Sequence, residues 1–394
     1  MSDNGHPGQS DLKVCMPSWR SFDRCAYLSG LYEAADTLAD VCDLDFVDLE
    51  AKPGFWRREA LQRRLAWHDR TGFTAGLNPG LHPQQLTDEY DVFITFCQTL
   101  KQLPYVNAIR GWKERSRKSV CIVAELYAAE VRRSKPFLRA LQQFDYVFTE
   151  LRESAGPISE VTGQPCYCLP SAVDAIRFSP YPNPFPRSID VYSIGRRRPE
   201  IHEALLRMIE SDGIFYTYDV FATGADTHVS NYLEHRNLVA SMAKRSHCFM
   251  VAEAKWNLPA ETRGQVGIAT RYFEGIAAGA ILLGQRTQTQ EFEELFDWDD
   301  VVVEVRTDGS DVAAVLRELR ADPGRMQAIS ARNAAQALLR HDWVYRWRDL
   351  FDTIGLQPGP SLVARETRLR ELAAMAGAHG AAEPADSALR FGQA

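Results

Sequence analysis

Short apolar runs alternate with stretches of helical period twice along this chain, and a proline-rich stretch divides the two series. In the first series, residues 12–16, 44–49, 90–96, 119–124 and 146–149 read as strands, with helical patterns at 24–40, 103–115 and 135–143. Strands that alternate with helices predict a parallel sheet covered on both faces. Between 164 and 187 the chain carries Pro165, Pro170, Pro180, Pro182, Pro184 and Pro186, which suits an extended crossing. From 188 the alternation resumes: strands at 189–194, 215–219, 248–254, 280–283 and 301–305, and helices at 201–210, 237–244, 270–279, 312–320 and 326–339. The 394 residues exceed one ordinary core, so the pattern predicts an α/β chain of two Rossmann-like domains.

The segment Thr270-Arg-Tyr-Phe-Glu-Gly-Ile-Ala-Ala-Gly-Ala-Ile-Leu-Leu283 is the densest in chemical content. Gly275, Ala277, Ala278 and Gly279 leave little bulk, so a helix here can lie close against a sheet or a ligand. The polar loop 255–269 leads into it from a strand. In a doubly wound sheet such a loop lies at the carboxyl ends of the strands, where ligands bind, and a helix start offers free N–H groups to a phosphate.

This segment resembles the donor-site segment of the group 1 glycosyltransferases, and especially their spore-maturation-protein-like branch. Three further stretches agree with the resemblance: Leu169-Pro-Ser-Ala-Val-Asp174-Ala-Ile-Arg-Phe178-Ser-Pro180, Asp190-Val-Tyr-Ser-Ile-Gly195-Arg196, and His341-Asp-Trp343-Val-Tyr-Arg346-Trp. It covers about residues 145 to 355. It implies GT-B architecture, two Rossmann-like domains facing each other across a cleft, and retaining, metal-independent transfer from a nucleotide-sugar, which is a substrate; no cofactor is implied. The implied layout is a disordered start (1–10), an acceptor domain (11–169), a linker (170–187), a nucleotide-sugar domain (188–340), a closing helix (341–357) and a partly disordered tail (358–394), in which 362–376 reads as one amphipathic helix and 377–394 lacks the apolar content to fold alone. Many members carry two glutamates eight positions apart, and Val266 stands where the first would be. Only Glu274 carries over, as partner of the ribose hydroxyls.

Sugar transfer from a nucleotide diphosphate needs cations on the leaving group and a partner for the ribose. Gly195 and Arg196, at the end of a strand, are placed for the diphosphate; the alternative is a solvated basic turn with Arg197 and Arg198. Arg271 sits in the first turn of a helix, where a cation opposes the dipole unless an anion binds, and Tyr272 stands beside it. Glu274 either caps amides or binds hydroxyls. Lys244, with Arg245, lies near the phosphates or merely ends a helix. In the first domain Glu125 follows a strand where family members often have a histidine. It is the candidate catalytic residue, as a base or a hydroxyl ligand, against a loop-capping role. Asp297-Trp-Asp299 has D-x-D spacing but reads as a solvated turn, and Cys166 with Cys168 lacks a second ligand pair, so no metal site is expected.

Acids outnumber bases, 52 to 45, giving a formal charge of −7 that weakens a nucleic-acid reading. No run approaches a membrane span, and the eight scattered cysteines suit a reducing, cytoplasmic setting. Residues 52–70 depart from this balance, with six bases against two acids and Phe55, Trp56 and Trp67 interleaved. They suit peripheral contact with the inner face of a membrane or with an acceptor, or else a solvated helix packing through Leu61 and Leu65. The acceptor, a glycan, lipid or small molecule, is not legible. Two rivals stand beside the transferase: a non-catalytic GT-B-like structural or nucleotide-binding protein, favoured by Val266 and the absent histidine at 125, and a sugar-nucleotide epimerase of GT-B shape.

Overall fold

The apolar runs do form parallel strands, and the strands gather into two separate sheets. The computed structural model describes residues 10–69, 71–131, 133–220 and 227–381. The first sheet contains β1 (Lys13–Ser18), β2 (Asp43–Asp48), β4 (Tyr90–Cys97), β6 (Ser116–Val123), β7 (Tyr146–Thr149) and β8 (Cys166–Cys168), in the order β2-β1-β4-β6-β7-β8. A two-residue pair, β3 (Gln84–Gln85) and β5 (Ile109–Arg110), stands apart. The second sheet contains β9 (Ile189–Ser193), β10 (Tyr216–Tyr218), β11 (Ser246–Val251), β12 (Ile281–Gly284) and β13 (Val302–Glu304), in the order β10-β9-β11-β12-β13. Every strand pairing is parallel, so each needs a crossover; most run through an α-helix, while β4 and β6 are joined through a 3-10 turn and β5. The central strands are buried on both faces, which is why β4, β12 and the second half of β6 read as nearly unbroken apolar runs.

The chain divides into two compact units. Unit 1 holds residues 1–171, 259–265 and 344–365; unit 2 holds 172–258, 266–343 and 366–394. The core of unit 2 is built on Val191, Leu205, Cys248, Ile281, Leu283 and Val312. All eight cysteines are free, and six are buried.

Three expectations need correction. Residues 103–115 are not a helix: a 3-10 turn, Leu103–Ala108, gives way to β5, and Gly111 takes φ +79°. Ile109 pairs with Gln84, and the left-handed glycine ends any helical path. The 52–70 stretch does contain a helix, Phe55–Ala66, but Leu61 and Leu65 point outward, at 57% and 53% exposure. The tail is more ordered than its composition suggests, because a helix, Pro360–Ala381, runs past Gly377, buries Leu362, Leu369, Leu372 and Ala376, and packs Gly380 against Ala331. Of the expected disordered start (1–10) residues 1–9, and of the tail residues 382–394, lie outside the described residues.

Candidate donor site

In unit 2 the carboxyl ends of β9 and β10 meet the start of the Thr270–Ala277 helix. β9 ends at Ser193, and the chain turns at Gly195 with φ +85°, a conformation that only glycine adopts without strain. The Gly195 amide donates to Asp219 Oδ2 at 2.8 Å, and the Arg197 guanidinium pairs with Asp219 Oδ1. Asp219, just past β10, therefore fixes the turn from both sides. Arg198 is held as well: its Nε donates to Gln285 at 2.9 Å and its guanidinium lies 4.2 Å from the Trp256 ring. Arg196 differs. It is exposed and makes no hydrogen bond or ion pair among the described residues.

Arg271 faces this turn; a Cβ added to Gly195 would lie 3.9 Å from Arg271 Nη2. The helix start has Ala269 as its N-cap, so no side chain caps its amides. Glu274, on the helix's second turn, is not a cap. It is 1% exposed, with Oε1 bonded to Arg236 and Oε2 to Arg271. Burial pushes its carboxyl up, but the Arg271 and Arg236 guanidiniums outweigh burial and hold it at about 2. Arg236 is itself buried, with its guanidinium 4.8 Å from the Phe178 ring, whereas Arg271 keeps about a quarter of its side chain exposed. His235, next to Arg236, is pushed below its ordinary value by burial and by the same two arginines, so it is neutral near pH 7.

The structure thus brings Gly195, Arg271 and Glu274 together at one end of the sheet, with the exposed Arg196 next on the Gly195 turn. It does not bring Lys244 or Tyr272 to that group. Lys244 ends the Tyr232–Lys244 helix ahead of β11, at the amino ends of the strands, and its ammonium donates to the Arg177 carbonyl at 2.9 Å. Tyr272 is fully buried; its hydroxyl donates to the Gln285 carbonyl at 2.6 Å and its ring packs on Phe292. Glu125, in unit 1, is half-buried two residues past the end of β6, and its amide donates to the Gln98 carbonyl at 2.7 Å. Asp297 pairs with Arg340 and Asp300 with Arg325, as befits a solvated turn. No group of metal-ligating side chains occurs among the described residues.

Sequence reasoning missed Arg236 and Asp219. The signal for Arg236 was present: with Val239, Ala240 and Ala243 it occupies the i, i+3, i+4 and i+7 positions of one buried helix face. An arginine in an apolar stripe requires a buried partner. Asp219 left no comparable mark, because its role is set by a backbone amide 24 residues away.

Two Rossmann-like units in one chain define the GT-B fold, and the comparisons with known proteins agree with that assignment. Residues 236–352, which include Arg236, Arg271 and Glu274, match the model of a family described as glycosyl transferase-like. No curated protein matches the chain. Among solved structures it resembles an alpha-glucosyltransferase in complex with UDP-glucose and DNA containing an abasic site, with a TM-score of 0.54 at 11% identity over 87% of this chain and 99% of that one. A second structure, an alpha-glucosyltransferase with UDP and a 13-mer DNA containing an HMU base, gives 0.52 at 11% identity over 88% and 100%.

Proposed function

We propose that the chain is a glycosyltransferase that binds a nucleotide-sugar on unit 2, at the carboxyl ends of β9 and β10. The observation that carries this reading is the pair Arg271 and Arg236 on the buried carboxylate of Glu274, beside an uncapped helix start and facing the Gly195 turn that bears the exposed Arg196, an arrangement that favours an anion. In this reading Arg196 and Arg271 take the diphosphate, and Gly195 lets the backbone approach it. As Arg271 moves to the diphosphate, Glu274 Oε2 becomes free to accept from a ribose hydroxyl while Arg236 continues to hold Oε1. The bond from the sugar's anomeric carbon to the diphosphate oxygen breaks, the bond to the acceptor oxygen forms on the same face, and the acceptor's proton passes to the leaving diphosphate. The guanidiniums neutralise the developing charge in place of a metal ion. Glu125 of unit 1 is proposed to bind a hydroxyl of the acceptor or donor, and the net charge of −7 argues for an acceptor that is not nucleic acid.

Val266, standing in place of an acid, favours a second reading in which the fold binds a nucleotide without transferring sugar. Product analysis after incubation with nucleotide-sugars and a mixed acceptor pool separates the readings. A new glycoside together with free nucleoside diphosphate supports the transferase. A converted sugar-nucleotide means an epimerase, and an untouched donor means a binding protein.

A further inference from the structure

The helix Phe55–Ala66 of unit 1 is inverted. The side chains it buries are Phe55, Glu59, Gln62 and Ala66, two of them polar and both satisfied inside the unit. Gln62 donates to the Thr74 and Leu77 carbonyls at 2.8 and 2.7 Å, and Glu59 pairs with Arg63 at 3.2 Å. Apart from Phe55, the large apolar side chains here face out: Leu61 and Leu65 on one flank, Trp56 and the C-cap Trp67 on the other at 52% and 48% exposure, with Phe73 at 70% on the loop that follows. At 100° per residue the exposed Arg57 and Arg64 fall between those two flanks. The nearby acids do not cancel this charge. Glu59 is buried and paired with Arg63, and Asp69, bonded to the amides of Thr71 and Thr74 at 2.8 and 2.6 Å, leaves the bases of 52–70 in excess.

A solvated surface helix has no reason to expose four large apolar groups while burying a glutamate and a glutamine, since burial of the apolar set would be worth more. Apolar flanks beside a ridge of guanidiniums match one partner chemistry, the headgroup and acyl boundary of an anionic bilayer, where arginines meet phosphates and the Trp and Leu side chains leave water. No helix among the described residues is long and apolar enough to cross a membrane. We propose that this face docks the protein on a membrane surface rich in anionic phospholipid. The inference stands independently of the donor site.

Sedimentation of the full-length protein with phosphatidylglycerol-rich and with pure phosphatidylcholine vesicles tests it. The protein should bind the former and not the latter, and binding should fall as salt rises. Arg57→Gln/Arg64→Gln should weaken binding by roughly 25-fold, about fivefold for each charge. Leu61→Ser/Leu65→Ser should weaken it at least about tenfold. All four side chains are exposed, so both double variants should keep the wild-type melting temperature. Absence of binding to phosphatidylglycerol, or equal binding by the variants, would overturn the proposal. So would self-association in the absence of vesicles that Leu61→Ser/Leu65→Ser abolishes, which would assign the face to a second copy of the chain.

Discussion

With both oxygens of its carboxylate taken by arginines, Glu274 carries stability as well as a proposed role in binding. Its pKa in the fold, about 2, lies below the ordinary carboxylate value of 4.5. Because the folded value is the depressed one, the stabilisation is fully present above pH 4.5 and is lost as pH falls through about 2. The pairing with two guanidiniums is therefore the source of this pH-dependent stability. Glu274→Gln also strands Arg236, a buried cation, so the variant should lose ~3–5 kcal/mol in denaturant unfolding at neutral pH. That gap should narrow as pH falls below 4; a pH-independent difference would mean that shape rather than charge sets the cost. Arg271→Ala should behave differently. Arg236 still pairs with Glu274 and the Arg271 side chain is partly exposed, so stability should fall by less than that of Glu274→Gln while nucleotide affinity falls about tenfold or more. From the sequence, Glu274 stood between a cap and a ribose ligand, because its buried partner lies 38 residues away in another helix. The pairing needs the fold; only the anomalous arginine in an apolar stripe hinted at it.

At the scale of elements, the 270–277 helix is held where it is by what it lacks. A Cβ on Gly275 would lie 2.4 Å from Leu282 Cδ2 and 3.0 Å from Phe249 Cδ1, so the helix rests directly on β12 and β11. Alanine ordinarily gains up to ~1 kcal/mol over glycine inside a helix, but here the overpacking cost of ~1–3 kcal/mol wins. Gly275→Ala should therefore lower the melting temperature; a rise would show that the helix sits further from the sheet. Its carboxyl end is gathered by Arg187, whose Nη2 donates to the Ala278 and Gly279 carbonyls at 2.9 and 2.8 Å, a cation at the negative end of the dipole. The small residues of this segment made its close packing legible from sequence. Residues 103–115 misled because the apolar spacing of Leu103, Val106 and Ile109 fits a helix, while a strand pairing and a left-handed glycine decide the outcome.

For the molecule as a whole, the doubled alternation of strands and helices was enough to read two parallel-sheet units, since period and order survive without knowledge of contacts. The end of the chain was readable only in part: the apolar spacing over 362–376 fits the helix that forms there, but its continuation past Gly377 was not legible. A stretch rich in alanine and glycine lacks the bulky side chains that announce packing, yet Gln327 donates to the His379 carbonyl at 2.9 Å. Truncation after Ala381 should leave melting unchanged, whereas truncation before Gly377 should lower it, because only the latter strips the contacts on the 323–340 helix. A clamp made of guanidiniums also predicts that nucleotide binding persists in excess chelator; a requirement for a divalent ion would remove the metal-free account. The central claim, a nucleotide-sugar held by Arg196, Arg271 and Glu274, is tested most directly by calorimetric titration of the full chain and of Arg271→Ala with a panel of nucleoside diphosphates and their sugar conjugates in chelator. The account predicts that at least one nucleotide binds the wild type, and that Arg271→Ala binds the same ligand at least about tenfold more weakly while remaining folded. Failure of every nucleotide to bind, or equal affinity in the two proteins, would contradict it.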